Sequence, residues 1–229
     1  MVVLFDIDGT LINSRGAGGA ALSHALSQVF AVSEPRMIPL HGRTDLGVFA
    51  ELLLCNGLDN TRENFQRLEA AYFEQLPEEL RRRAGIVLPG VIEMLSQLRQ
   101  SGGCQIGLLT GNMPNSARMK LEHFGLWDWF AFGIYGDTVA HRPDLSGQVM
   151  SVVNNHSGHE VPSQRIIVVG DTPLDVELAR ALQARCLAVC TGGFTVDELL
   201  TAGACRAVSD LSATDDLVDW IFTQTELKL

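Results

Sequence analysis

The sequence predicts an α/β fold: a doubly wound parallel sheet with a small helical segment inserted near its start. Three observations lead there. Short apolar runs rich in Val, Ile, Leu and Phe recur at Val2–Asp8, Gln105–Gly111, Phe130–Gly136, Arg165–Asp171 and Cys186–Thr191. They show little alternation, as expected of parallel strands buried on both faces. Helical patterns lie between them, and strand–helix–strand succession implies right-handed crossovers. The stretch from about residue 16 to 84 has no strand-like run and reads as helical throughout.

The elements follow in order. Val2–Asp8 is the first strand. Gly16–Phe30 is rich in Ala and Leu; Leu46–Cys55 and Arg62–Leu76 continue the helical stretch, broken at Asn56-Gly57. The triplet Arg81-Arg82-Arg83 precedes a turn at Leu88-Pro89-Gly90; it reads as a solvated helix end or as an anion contact. Val91–Gln100 sets Leu95 and Leu98 on one helical face. After the second strand, Pro114 opens a helix with Ala117, Leu121 and Phe124 at helical spacing and Gly125 as its stop. Pro173–Leu182 repeats the pattern with Val176, Ala179 and Leu182. The resulting division is a sheet core over residues 1–14 and 86–229 and a helical segment over 15–85.

Composition narrows the function. The formal charge is 17 − 27 = −10, which disfavours nucleic acid and anionic membranes as partners. An anionic substrate would need a metal or a few well-placed arginines. The five cysteines are odd in number and without C-x-x-C spacing, so buried free thiols in a reducing compartment are expected. The opening MVVLFDIDG has no basic n-region, and no apolar run approaches a membrane span. A cytoplasmic protein is expected, its oligomeric state left open.

Polar residues gather where these strands end, the edge at which open α/β sheets bind ligands. The first strand ends in Asp6-Ile7-Asp8-Gly9-Thr10, the second in Thr110-Gly111-Asn112, the fourth in Gly170-Asp171-Thr172-Pro173-Leu174-Asp175. Asp6 and Asp8, two apart on an extended strand, would share a face. With Asp171 they would make the oxygen-rich site that Mg²⁺ prefers; alone, they read equally as turn or cap residues. Thr110-Gly111-Asn112 leads into Pro114, so free N–H groups there could bind an anion, with Gly111 admitting a phosphate. An ordinary Asn cap is the alternative.

These motifs resemble the haloacid dehalogenase superfamily, in its phosphatase branch near phosphoglycolate-phosphatase-like members with a helical cap. D-x-D-G-T stands at Asp6–Thr10, the strand-closing Thr at Thr110, and G-D-x-x-x-D at Gly170–Asp175. The resemblance implies Asp6 as nucleophile, Asp8 as general acid and then base, and Mg²⁺ held by Asp6, the carbonyl of Asp8 and Asp171, with Asp175 in support. Thr110 would bind phosphate with nearby backbone N–H groups. Thr10, Gly111 and Asn112 complete that set of contacts. The family's usual lysine after the third strand is missing. Lys120 and Lys228 are the two lysines of the chain, and neither stands where that role requires. Arg142 is the candidate, against a reading as a surface loop residue. Arg15 and Arg43 are candidate substrate contacts; Gly42–Asp45 also reads as a helix-capping loop. With 29 residues between Asn112 and Arg142, no second domain fits there, so the cap falls after the first motif. The implied activity is hydrolysis of a small phosphorylated metabolite, phosphoglycolate-like or a sugar phosphate, through an aspartyl-phosphate. Sugar-phosphate mutase, 2-haloacid dehalogenase and a non-catalytic binding module are the competing expectations.

Overall fold

The computed structural model describes residues 1–223; Lys228 lies outside them. In chain order the elements are β1 (Val2–Phe5), β2 (Ile12–Asn13), α1 (Ala17–Phe30), α2 (Asp45–Cys55), α3 (Arg62–Arg83), β3 (Ile86–Val87), α4 (Val91–Gln100), β4 (Gln105–Leu109), α5 (Pro114–His123), β5 (Phe132–Ile134), α6 (Ser146–Ser157), β6 (Ile166–Gly170), α7 (Pro173–Ala181), β7 (Arg185–Val189), α8 (Val196–Ala202), β8 (Arg206–Val208) and α9 (Thr214–Phe222). Six strands form one parallel sheet in the order β5-β4-β1-β6-β7-β8. From β1 the chain steps outward to β4 and β5, then crosses to the other side of β1 and steps outward again. The reversal falls beside β1, and the loops after β1, β4 and β6 open into the crevice it leaves.

The strand residues divide between two cores because successive side chains point to opposite faces. Val3 and Phe5 join Ile106, Leu108, Ile167 and Val169 on one face, packed under α4, α5 and α9. Val2 and Leu4 join Leu109, Ile166 and Val168 on the other, under α6, α7 and α8. This explains the unalternating apolar runs: both parities are buried.

The helical segment has a core of its own, in which Leu22 and Leu26 of α1 meet Phe49 and Leu52 of α2 and Tyr72 and Leu76 of α3. Its ends are joined by the antiparallel pair β2–β3, Ile12 opposite Val87 and Asn13 opposite Ile86. The structure lengthens one expected element. α3 does not stop at Leu76 but runs through Pro77 to Arg83, because Tyr72, Leu76 and Leu80 form a buried stripe across the proline. Its arginine triplet is a solvated helix end: Arg83 lies 2.8 Å from Glu79 and Arg81 2.5 Å from Glu78. The third strand is shorter than the apolar run Phe130–Gly136, and β2, β3, β8, α6, α8 and α9 were not anticipated from the pattern. The cysteines form no disulfide, and none of the described helices is long and apolar enough to cross a membrane.

Candidate active site

β1 ends at Phe5, so Asp6 and Asp8 sit in the turn beyond it rather than side by side on a strand. Asp6 still follows the sheet, its N–H donating to Val169 O at 2.9 Å. The chain then coils, with the N–H groups of Leu11 and Ile12 both donating to Ile7 O. Gly9 takes φ +86° there, and a Cβ on it would strike the Asp171 carboxylate. The turn therefore sends the two aspartates to different partners, contrary to the shared-face expectation.

Asp6 joins Asp171 and Asp175, whose ligand-capable atoms all lie within 4.8 Å of one another and are buried. Arg142, 3% exposed, enters the cluster from the turn before α6. Its Nη2 lies 2.5 Å from Asp175 Oδ1, 2.9 Å from Asp6 Oδ1 and 3.2 Å from Leu109 O. The sequence-predicted Arg142 is thus part of the site and not a surface loop residue. Asp175 is heavily committed. Its Oδ2 accepts from the N–H and hydroxyl of Thr172 in the capping box of α7, and Gly170 leaves the room its carboxyl needs.

Asp6 and Asp171 keep capacity to spare. Among the described residues, the fully buried side-chain atoms without a hydrogen-bond partner are Asp6 Oδ1, Asp171 Oδ2 and Arg142 Nε; the Asp6–Arg142 contact is an ion pair without hydrogen-bond alignment. Burial pushes the Asp6 carboxyl up to about 6 against the pull of Arg142. Burial, with Asp6 and Asp175 nearby, pushes Asp171 well above the usual range. Three buried carboxylates against one guanidinium, with two oxygens unpartnered, is a donor set that fits a hard divalent cation. The side chain of Asp8 stands outside it.

Asp8 instead pairs with Lys120, whose Nζ lies 2.6 Å from Oδ2 and 2.6 Å from Asn112 Oδ1; Asn112 Nδ2 closes the ring onto Asp8 Oδ2 at 2.9 Å. Burial works to raise the Asp8 carboxyl, but Lys120 and Asn112 hold it below its ordinary value. Lys120 is the residue that sequence reasoning passed over. Side chains on a helix lean toward its N-terminus, and the N-terminus of α5 opens at the site. Its position four residues after the buried Ser116 was the available signal.

The remaining candidates are placed as follows. Thr110 is fully buried, with its Oγ1 accepting from Asn112 N and Nδ2. Thr10 donates to Asp171 Oδ1 at 3.1 Å. Gly111 lines the cavity, but the space where its Cβ would stand is filled by Arg43 O; its glycine serves the approach of the helical segment. Arg43 lines the cavity with its Nη2 on Glu51, 2.5 Å away. Arg15 is exposed, between Ser14 and Gly16, which line the cavity.

The cavity has a volume of about 400 Å³. Asp6, Asp8, Asn112, Lys120 and Arg142 form its floor; Gly18, Leu22, Leu40, Val48 and Tyr72 face them from the helical segment. The segment is fastened to the sheet's edge by α2. Thr44 caps α2 and donates to Ala140 O at 2.8 Å, the N–H of Asp45 donates to Gly111 O at 2.7 Å, and Asp45 Oδ2 accepts from Met113 N and Ser116 Oγ, both at 2.7 Å.

Fold and site together define a doubly wound α/β protein with an aspartate-centred cleft facing a helical segment. The haloacid dehalogenase-like hydrolase family model matches residues 3–189, and the chain belongs to that family. A probable phosphatase, IndB, from Dickeya dadantii is 28% identical over 210 residues, covering 88% of this chain and 86% of that protein. The phosphoglycolate phosphatase of Rhodospirillum rubrum is 26% identical over 226 residues, covering 96% and 90%. The crystal structure of a hydrolase from Pseudomonas syringae superposes with a TM-score of 0.72 at 25% identity, covering 97% and 99%. The chain stands in the phosphatase branch of the family, as an enzyme of the phosphoric monoester hydrolase type.

Proposed function

We propose that this enzyme hydrolyses a small phosphorylated metabolite, phosphoglycolate-like or a sugar phosphate, through an aspartyl-phosphate on Asp6 with Mg²⁺ as cofactor. The observation that carries the reading is the buried Asp6–Asp171–Asp175 cluster with its unpartnered oxygens on Asp6 and Asp171, reached from the cavity through Asp6. Asp6 and Asp171 would hold the cation, with the backbone carbonyl of Asp8, and Asp175 would support them. Bound there, Mg²⁺ would neutralise phosphate charge and orient the phosphoryl group for in-line attack.

Asp6 Oδ attacks phosphorus, forming the acyl-phosphate bond as the ester P–O bond breaks. Asp8, held as a carboxylate by Lys120 and Asn112, takes up the proton that the phosphomonoester monoanion carries and delivers it to the departing alkoxide. A water molecule then attacks the same phosphorus; Asp8 takes its proton, the bond to Asp6 breaks and inorganic phosphate leaves. Arg142 holds Asp6 in place and adds fixed positive charge beside the transferring group, where such charge is most effective. Residues 15–85 act as a cap whose apolar wall excludes bulk water from the intermediate. A cavity of this size suits a metabolite and not a phosphoprotein.

The decisive experiment is phosphate release from a panel of phosphorylated metabolites with and without Mg²⁺, repeated on Asp6→Asn. Activity that needs Mg²⁺ and vanishes in Asp6→Asn, with an unchanged circular-dichroism spectrum, is the expected result. Turnover that survives the substitution would remove Asp6 as nucleophile.

A further inference from the structure

Asp8 is held by one oxygen only. Its Oδ2 receives Lys120 Nζ at 2.6 Å and Asn112 Nδ2 at 2.9 Å, Lys120 also donates to Asn112 Oδ1, and Asn112 Nδ2 is anchored to Thr110 Oγ1 at 2.9 Å. Asp8, Lys120 and Asn112 form a closed ring between the turn after β1, the loop after β4 and α5. No hydrogen bond reaches Asp8 Oδ1 among the described residues, and the Asp8 side chain is 39% exposed in a residue that lines the cavity. The ammonium has little freedom: its side chain is 6% exposed, and a Cβ on Gly18 of α1 would stand 3.8 Å from Nζ, in contact.

From this geometry we infer that Lys120 is the positioning residue of Asp8: it pins one carboxylate oxygen so that the other faces the scissile ester. The inference rests on the phosphatase reading above. Burying an ammonium in an ion pair is a poor source of stability, because desolvation offsets the attraction; what such a pair supplies is a defined arrangement. Proton transfer to a leaving oxygen is sensitive to placement, and an ångström of misplacement costs about a hundredfold in rate. An unpinned Asp8, on a turn beyond the strand end, would sample rotamers that leave the ester unprotonated. Lys120 therefore acts through Asp8 and not on the substrate.

The test is a double-mutant cycle of Lys120→Met and Asp8→Asn, assayed on the best alkyl phosphate of the panel and on 2,4-dinitrophenyl phosphate. On the alkyl ester, Lys120→Met should lower kcat about 10- to 100-fold and leave KM nearly unchanged. In the Asp8→Asn background the same substitution should have almost no further effect. With dinitrophenolate, which departs without a proton, Lys120→Met should keep a rapid burst of product equal to the enzyme present, followed by slow turnover. Equal losses in both backgrounds, a rise in KM at constant kcat, or a lowered melting temperature at full activity would each overturn the inference. Should Lys120→Met fail to fold, Lys120→Gln is read by the same criteria. A wild-type enzyme without phosphate release would instead end the phosphatase reading itself.

Discussion

At the scale of single residues the site depends on two buried cations with separate duties. Arg142 serves the carboxylate cluster and Lys120 serves Asp8. Removing Arg142 strands Asp6 and Asp175 with unmatched charge in the interior, which costs about 3–5 kcal/mol of stability besides about 2–3 kcal/mol of transition-state stabilisation. Arg142→Ala should therefore lose both melting temperature and kcat/KM, and Mg²⁺ should restore part of the former only. Full activity in a folded Arg142→Ala protein would return Arg142 to scaffolding. The thiols give a contrasting expectation. Burial pushes Cys104 up to about 11 and Cys186 higher still, so both should resist alkylation at pH 8 in the folded enzyme while exposed Cys205 reacts first; mass mapping reads the order. The acid cluster was legible in the sequence because D-x-D-G-T and G-D-x-x-x-D name their residues directly. Lys120 was not, because its role depends on the lean of a side chain back along α5 and on where that helix starts in space. The exposure of Arg15 and the Arg43–Glu51 pair were equally out of reach, being matters of loop path.

At the scale of elements, α2 and α5 meet end to end through one carboxylate. Asp45 begins α2, yet its Oδ2 accepts from Met113 N and Ser116 Oγ, so it caps α5, whose own N-cap residue, Met113, offers no capping side chain. Burial raises the Asp45 carboxyl, with Lys120 and Ser116 opposing. The folded-state pKa lies above the unfolded one. The proton it retains therefore favours the fold below about pH 4, and that contribution is lost as pH rises through the folded value. At pH 7 Asp45→Ala should cost about 1–2 kcal/mol as a lost cap. Asp45→Asn, which keeps an acceptor and has no charge to desolvate, should cost less, and its deficit should shrink as pH rises. Urea unfolding between pH 4 and 8 checks both. The Gly42–Asp45 loop was read as capping or as substrate contact; Thr44, which caps α2, and Asp45, which caps α5, fit the first, while Gly42 and Arg43 line the cavity. Strong apolar periodicity made α1, α2, α4, α5 and α7 legible to within a residue or two. Strand β8, with three half-buried residues at the sheet's edge, carries no such signal. The stripe of α9, Leu217 and Ile221, was present but short and went unread; its C-terminal carbonyls are capped from β7 by Arg185, stacked 3.9 Å over Trp220, a partnership between residues far apart in sequence.

At the scale of the whole molecule, the carboxyl edge of the sheet concentrates negative charge that the protein only partly neutralises. The net charge of −10 repels an anionic substrate at long range, while the cavity presents Arg142, Lys120 and the Asp6 end of the cation-ready cluster at short range. Stability and function should therefore be linked through the metal. A ligand that binds only the folded state stabilises it by RT ln(1 + [L]/Kd), about 2.7 kcal/mol at a hundredfold excess over Kd. For a chain of this size that raises the melting temperature by roughly 5–10 °C, at about 2–4 °C per kcal/mol. Asp171→Asn separates this effect from non-specific salt. The substitution removes a carboxyl whose ionisation burial, Asp6 and Asp175 all oppose, so the metal-free variant should melt above the metal-free wild type at neutral pH. With a ligand gone, Mg²⁺ should then raise its melting temperature little. A wild type indifferent to Mg²⁺, or an Asp171→Asn variant that responds as fully as the wild type, would show that the buried carboxylates do not share a cation; calorimetric scans of both proteins with EDTA and with millimolar Mg²⁺, at constant ionic strength, decide between the outcomes.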